Sequence, residues 1–345
     1  MKKISVVILN WNGEAMLRQF LPSVVEYSEA EGVEVCVADN ASSDASCDVV
    51  RKEFPSVRLI ELEENYGFAE GYNRALQQVD AEYAVLLNSD VEVTPHWLEP
   101  LLHFMEAHPE VAACKLLSRR NKEFFEYAGA AGGYIDRYGY PFCRGRIFET
   151  VEKDDGQYDT VMPVFWVSGA AFFVRLKDYR EAGGLDGSFF AHMGEIDLCW
   201  RLRSRGRGLV CIPQSVVYHV GAATLKKESP RKTYLNFRNN LLMLYKNLPE
   251  KELNHVLRVR SLLDRIAVVV FYLKKDKENA KAVLQARKDF ESTRYGFASA
   301  RVENMMKAAD GPIPERVGYS ILWKYHALGK KRFSQLRNFV KGLTA

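Results

Sequence analysis

The sequence predicts an α/β protein, a mainly parallel sheet sandwiched by helices, followed by a helical C-terminal appendage. Three observations carry this. Apolar runs without polar alternation, as in strands buried on both faces, recur through the first 114 residues. Stretches with helical spacing separate them, the βαβα rhythm of a parallel sheet. From Arg231 onward the patterns are helical.

Taken in order, the expected strands are 4–9, 33–38, 57–62, 83–87 and 111–114, and the helices between them 14–27, 44–54, 69–79 and 95–107. Thr94 before Pro95 reads as an N-cap followed by proline in the first turn, and Asp44 as a cap of the same kind. Residues 119–162, rich in Gly, Tyr, Arg and Asp, read as loops and short strands laid over one face of the sheet. A strand pair around 165–174, a turn at Gly183-Gly184-Leu185-Asp186, a helix at 196–204 and two short strands at 209–212 and 215–219 complete the first part. Helices are expected at 234–245, 253–273, 279–291 and 320–343.

A chain of 345 residues with 47% hydrophobic content can fill a sizeable core, which excludes a disordered protein. Its net charge of +4 conceals an asymmetry. Residues 1–225 hold 22 basic and 33 acidic side chains, a balance of −11, whereas residues 226–345 hold 26 and 11, a balance of +15. The sign change sets the expected division into domains 1–225 and 226–345. A basic region on an acidic domain points to an anionic partner. No nucleic-acid-binding motif accompanies it, so an anionic membrane surface is the expected partner. The alternative gives these helices to packing on the first domain or to a homodimer. Six cysteines without CxxC spacing read as free thiols of a reducing, cytoplasmic compartment. No signal peptide is read before Ile4. The apolar run 266–273 is far short of the roughly 20 residues that a membrane span needs.

Ligands of parallel α/β sheets gather beyond the carboxyl ends of the strands. Here those ends carry Asn10-Trp11-Asn12-Gly13, Asp39-Asn40-Ala41-Ser42-Ser43-Asp44, Asn65-Tyr66-Gly67-Phe68-Ala69 and Asn88-Ser89-Asp90. Taken singly, each group has a structural explanation as a cap or turn residue. Four at equivalent positions point to a binding edge. Neither GxGxxG nor GxxxxGK[ST] follows the first strand, which argues against a dinucleotide fold or a P-loop. Asp39 can accept a hydrogen bond from a pyrimidine imide N–H. Asp90 can hold a divalent cation against a diphosphate, since Mg²⁺ and Mn²⁺ prefer carboxylate oxygen.

These segments resemble the inverting family 2 glycosyltransferases with the GT-A fold, a Rossmann-like sheet, and in particular their rhamnosyltransferase-like branch. The resemblance runs on through Ser168-Gly169-Ala170-Ala171, Gly183-Gly184-Leu185-Asp186, Glu195-Ile196-Asp197-Leu198-Cys199-Trp200-Arg201-Leu202 and Tyr218-His219, in family order over residues 3–245. It implies that Asp39 reads a uracil or thymine base flanked by Asn10 and Trp11, with Asn65, Gly67 and Asn73 bordering the nucleotide. Gly169 and Asn88 fall within the nucleotide-sugar motifs. Asp90, the last acid of a DxD-like motif, is implied as ligand of a divalent metal (Mg²⁺ or Mn²⁺), and His219 as completing its shell. Glu195 is implied as the base that takes the acceptor proton. Asp197 is the competing candidate, otherwise expected to cap the following helix or orient a neighbour. The chain departs from the family at two places: an acidic pair usually precedes this helix and here reads Gly194-Glu195, and Asn88 stands where an Asp would give a second acid.

The implied activity is transfer of one sugar from a UDP- or dTDP-linked donor, dTDP-rhamnose among them, to a saccharide or lipid-linked hydroxyl in cell-surface polysaccharide assembly. The QxxRW motif of processive synthases is absent. Two other readings are open to the sequence. A non-catalytic scaffold of a polysaccharide assembly complex has support only in Gly194 and Asn88. A sugar-phosphate nucleotidylyltransferase lacks its glycine-rich basic loop here.

Overall fold

In the computed structural model, which describes residues 1–108, 111–221 and 229–339, the chain is built on a large mixed sheet with nine strands among the described residues. The strands are β1 (Lys2–Asn10), β2 (Val33–Asp39), β3 (Arg58–Glu61), β4 (Ala81–Asn88), β5 (Val91–Val93) and β6 (Val111–Ser118). A small antiparallel sheet follows, of β7 (Gly133–Ile135), β8 (Pro141–Cys143), β9 (Arg146–Ile147) and β10 (Thr150–Val151). The chain then returns to the large sheet with β11 (Met162–Pro163), β12 (Ala171–Arg175) and β13 (Leu209–His219). The order is β11-β13-β6-β12-β4-β1-β2-β3, with β5 on β13. The β4-β1-β2-β3 run is parallel, β13 is parallel to β6, and β12 lies antiparallel between β4 and β6.

The helices are α1 (Glu14–Tyr27), α2 (Ser46–Glu53), α3 (Gly67–Gln77), α4 (Glu99–Ala107), α5 (Leu176–Glu181), α6 (Gly194–Ser204), α7 (Pro230–Asn247), α8 (Glu250–Leu273), α9 (Lys277–Thr293) and α10 (Ala298–Met306). Strand alternation divides the interior into two cores. Ile4, Val6 and Ile8 of β1 and Tyr83, Val85 and Leu87 of β4 join α1, α2 and α4 on one face. Val7, Ala84 and Leu86 face the other core, with α3, α6 and the small sheet. None of the described helices is long and apolar enough to cross a membrane. The six cysteines are free and mostly buried, as expected of structural thiols.

Several expectations need correction. The helix expected from Pro95 begins at Glu99, because the Thr94 hydroxyl donates to the Val216 carbonyl at 2.7 Å and holds the chain against β13 instead of capping. Asp44 stands one residue before Ala45, the N-cap of α2, and its carboxylate accepts from Ser46 N–H and from Glu14 N–H at the start of α1. The two strands expected at 209–219 are one, with a bulge between Ile212 and Val216 that absorbs Pro213. The helix expected over 320–343 is broken into short turns at Trp323–Ala327 and Phe333–Phe339, and residues 340–345 lie outside the described residues. Buried carboxylates take the backbone donors there: Asp136 accepts from Ile321 N–H and Glu152 from Phe333 N–H, both at 2.9 Å.

The expected domain boundary at 225/226 also lies outside the described residues. On either side of it the core is shared, since Leu241, Met243 and Leu244 of α7 pack in the same cluster as Tyr72, Phe172 and Trp200.

Candidate active site

Sheet register assembles the binding edge. Asn10 pairs with Asp39, Asp39 with Glu61 and Leu9 with Asn88, so the polar residues after β1, β2 and β4 emerge side by side. Asn10 and Asp39 are both buried. The Asn10 amide donates to Asp39 Oδ1 at 3.1 Å, and Ser42 N–H donates to Asp39 Oδ2 at 2.8 Å. A buried carboxylate persists when donors replace its water, and two acceptor sites remain for a further donor. Asn10 Oδ1 is buried and has no donor among the described residues. Trp11 sits at the rim, half exposed.

The loop after β3 is set by two amides. Asn40 donates to Asn65 Oδ1 and to the Gly67 carbonyl and accepts from Tyr66 N–H, while Asn65 Oδ1 also takes Gly67 N–H. Gly67 has φ +73, and a Cβ there would lie 2.6 Å from the Phe190 ring, so only glycine lets these loops meet. Asn73 points elsewhere. Its amide is occupied by Tyr179 OH, Leu185 N–H, the Leu185 carbonyl and Glu70, so it ties α3 to the Gly183–Leu185 turn.

Asn88, Asp90 and His219 do converge. The pairing of His219 with Val91 brings its ring to Asp90, whose Oδ1 lies 3.1 Å from Nε2, and Asn88 Nδ2 lies 3.5 Å from the same nitrogen. Behind the ring, Glu126 Oε2 is 3.4 Å from Nδ1. Burial would lower the pKa of His219, but the two carboxylates override it and push it up to about 10. Glu126 was not foreseen: it lies in the 119–162 stretch, where no periodicity singles out a residue. The described residues contain no cluster of three or more His, Cys, Asp or Glu side chains poised around a metal. The Asp90–His219 pair nevertheless suits a cation shared with a phosphate-bearing ligand. Such ions take one or two protein carboxylates plus phosphate oxygens and water, and a carboxylate behind a metal-binding imidazole is a recurring arrangement.

Glu195 stands in the first turn of α6, partly buried. Burial raises its pKa, and its own backbone N–H is the one donor opposing the shift. No ion-pair partner reaches it among the described residues. Before it runs a strained loop in which Phe190, His192 and Met193 have φ of 60°, 65° and 65°. Such backbone in non-glycine residues costs about 1–2 kcal/mol each and clusters at functional sites. Gly169 adjoins Glu195: a Cβ there would lie 3.7 Å from Glu195 Cβ and 3.1 Å from Phe68. The next residue, Ala170, accepts from Asn88 N–H at 3.1 Å, which ties the backbone beside Glu195 to the end of β4.

Asp197 is differently placed. It is fully buried and, since α6 begins at Gly194, does not cap the helix as expected. Oδ2 pairs with Arg201 Nε at 3.0 Å and Lys246 Nζ at 2.9 Å, and Oδ1 accepts from Asn247 at 2.8 Å. Burial would raise its pKa, but Lys246 and Arg201 hold it below the usual carboxylate range. Lys246 also binds Asp186 at 2.6 Å, tying the glycine turn to α6. Asn239, another residue not foreseen, is fully buried on α7 and donates to the carbonyls of Phe189, Ala191 and His192, clamping the strained loop.

With this geometry in place, residues 5–167 match the family model for glycosyl transferase family 2. The chain is 27% identical over 234 residues to the N-acetylglucosaminyl-diphospho-decaprenol L-rhamnosyltransferase of Mycobacterium tuberculosis, a match that covers 63% of this chain and 75% of that one. Over that segment the chain resembles family 2 of the glycosyltransferases, and this relative is a rhamnosyltransferase. Solved structures agree on the fold. The chain matches S. aureus TarS 1–349 in complex with UDP-GlcNAc with a TM-score of 0.56 at 16% identity, covering 88% of this chain and 89% of that one. It matches GalNAc-T7 with UDP, GalNAc and Mn²⁺ with a TM-score of 0.56 at 15% identity, covering 71% of this chain and 48% of that chain, about half its length. The chain therefore has the GT-A fold, and its polar strand ends lie at the edge where the sheet's ligands gather.

Proposed function

We propose that this glycosyltransferase moves a single deoxyhexose or hexose, with inversion, from a UDP- or dTDP-linked donor to a hydroxyl of a lipid-linked saccharide in cell-surface polysaccharide assembly. The observation that carries this is the convergence of Asn10–Asp39 and of Asp90–His219 on one sheet edge. Asp39, fixed by Asn10 and Ser42, accepts the N3–H of a pyrimidine, and the orphaned Asn10 carbonyl supports a ligand donor there. Trp11 covers the base from the rim. Asn65 and Gly67 shape the ledge along the nucleotide.

Asp90 and His219 are the residues that would hold a divalent cation, which offsets charge on the departing diphosphate. Asn88 lies beside the His219 ring, and Glu126 stands behind it. Glu195 takes the proton of the acceptor hydroxyl as its oxygen bonds to the anomeric carbon and the bond to the diphosphate oxygen breaks on the opposite face. A partly buried carboxylate without a cationic partner among the described residues is more basic than an exposed one, which favours this role. The lipid-linked acceptor is supported by the decaprenol named for the mycobacterial relative.

The test is D90N in a donor panel of UDP- and dTDP-sugars with a Mn²⁺ titration. The wild-type chain should release nucleoside diphosphate only with divalent metal. D90N should lose turnover by at least tenfold per folded molecule, with a lowered melting temperature because one of the two carboxylates that hold His219 charged is gone. Wild-type turnover in D90N would refute the placement of the diphosphate.

A further inference from the structure

The C-terminal region offers two stretches that combine apolar and basic residues, and the structure separates them. The tail is committed to the protein: Phe333 and Leu336 are buried, Tyr325 OH lies 2.9 Å from Thr150 Oγ1, and its ring packs edge-on against Phe148. Helix α8 is not. Leu262, Ile266, Val269 and Leu273 are 60%, 50%, 57% and 79% exposed, with Val270 and Tyr272 beside them. Their spacing makes one stripe along the last three turns, roughly 17 Å long. The opposite side of the helix, with Val256, Arg260, Asp264 and Val268, is buried.

Charge decides what such a stripe meets. Arg258, Arg265, Lys274, Lys275 and Lys277 are exposed around it, and none is ion-paired with a described residue. Among neighbouring acids, Asp264 is buried between Arg260 and Arg287, and Glu278 is held by Lys281 at 2.9 Å. A two-fold contact through this face would set cations against the same cations of a second copy, because such interfaces are self-complementary. An anionic bilayer suits it instead, with apolar side chains entering the acyl boundary and lysines and arginines meeting headgroup phosphates.

We propose that this face of α8 docks the enzyme on an anionic lipid bilayer. The purpose of docking rests on the proposed lipid-linked acceptor, but docking itself is read without any transfer reaction, so either can fail alone.

The experiment is co-sedimentation of the full chain with phosphatidylcholine vesicles, with and without phosphatidylglycerol. The wild type should pellet with the anionic vesicles and be released at about 1 M salt, where screening shortens to about 3 Å. K274Q/K275Q should weaken partitioning about 30-fold, the equivalent of about 1 kcal/mol per cation. I266S/L273S, both at exposed positions, should weaken it on the same vesicles while leaving the melting temperature unchanged. Equal binding to neutral and anionic vesicles, or wild-type binding by both variants, would overturn the proposal. So would a dimer in light scattering that I266S/L273S dissolves in a chain that binds no vesicles.

Discussion

Replacing Glu195 by Gln separates chemistry from stability. The substitution keeps size and shape but removes the capacity to accept a proton at neutral pH. Loss of a positioned base costs about 10²–10⁴ in turnover, or about 2.7–5.4 kcal/mol in activation free energy. The structure sets the opposite sign for stability. The pKa of Glu195 lies above its ordinary 4.5 because burial disfavours the charge, with one backbone N–H opposing. A carboxyl raised in the folded chain makes folding less favourable as pH climbs through the unfolded value toward the folded one. E195Q removes that penalty, so at neutral pH its melting temperature should equal or exceed that of the wild type. Donor affinity, read by calorimetry with UDP, should be unchanged. The wild-type pH profile should rise with increasing pH as Glu195 ionises, on a limb displaced upward from that of an exposed glutamate, and E195Q should lack that limb. If E195Q keeps its turnover, or loses activity and melting temperature together, Glu195 is a structural residue and the assignment fails.

Two further substitutions test what surrounds the base. D197N leaves Lys246 and Arg201 facing a neutral group in the core, and breaking a buried pair of this kind costs about 3–5 kcal/mol. Denaturant unfolding should show that loss, together with loss of the acid-side dependence below pH 3.8 that the lowered pKa of Asp197 implies, and turnover per folded molecule should fall less than in E195Q. N239A strips the donor from the carbonyls of Phe189, Ala191 and His192; kcat should fall at least tenfold with UDP affinity unchanged, whereas a parallel loss of both would reduce Asn239 to a fold-stabilising role.

What the sequence made legible follows the range of the forces involved. β1 and β4 could be read because both faces of each are covered, so continuous apolar runs are required of them. The binding edge could be read because the carboxyl ends of parallel strands collect ligands whatever their loops contain. Glu126 could not, because its approach to His219 depends on how an irregular stretch crosses the sheet. Asn239 and Lys246 were hidden for another reason. On a helix that reads simply as amphipathic, nothing local distinguishes a polar residue facing water from one facing a buried loop. The tail misled because helical spacing is silent about competitors for backbone donors, and here Asp136 and Glu152 win them.

The strained loop before Glu195 explains why α7 follows the sheet so closely. Phe190, His192 and Met193 each hold backbone that an L-residue resists, and left alone the segment would relax and carry the carboxylate away. Three contacts from α7 oppose this: Asn239 on the loop carbonyls, Arg238 on the Ser188 carbonyl at 3.1 Å, and Lys246 joining Asp186 to Asp197. Each net hydrogen bond contributes about 0.5–1.5 kcal/mol, and those to charged groups more, so together they match the strain. A base must be held within about 0.5 Å of its working position, which a free loop does not provide. Described residues on either side of the change of charge near residue 225 share one core, and helix α7 braces the residue proposed to begin the reaction.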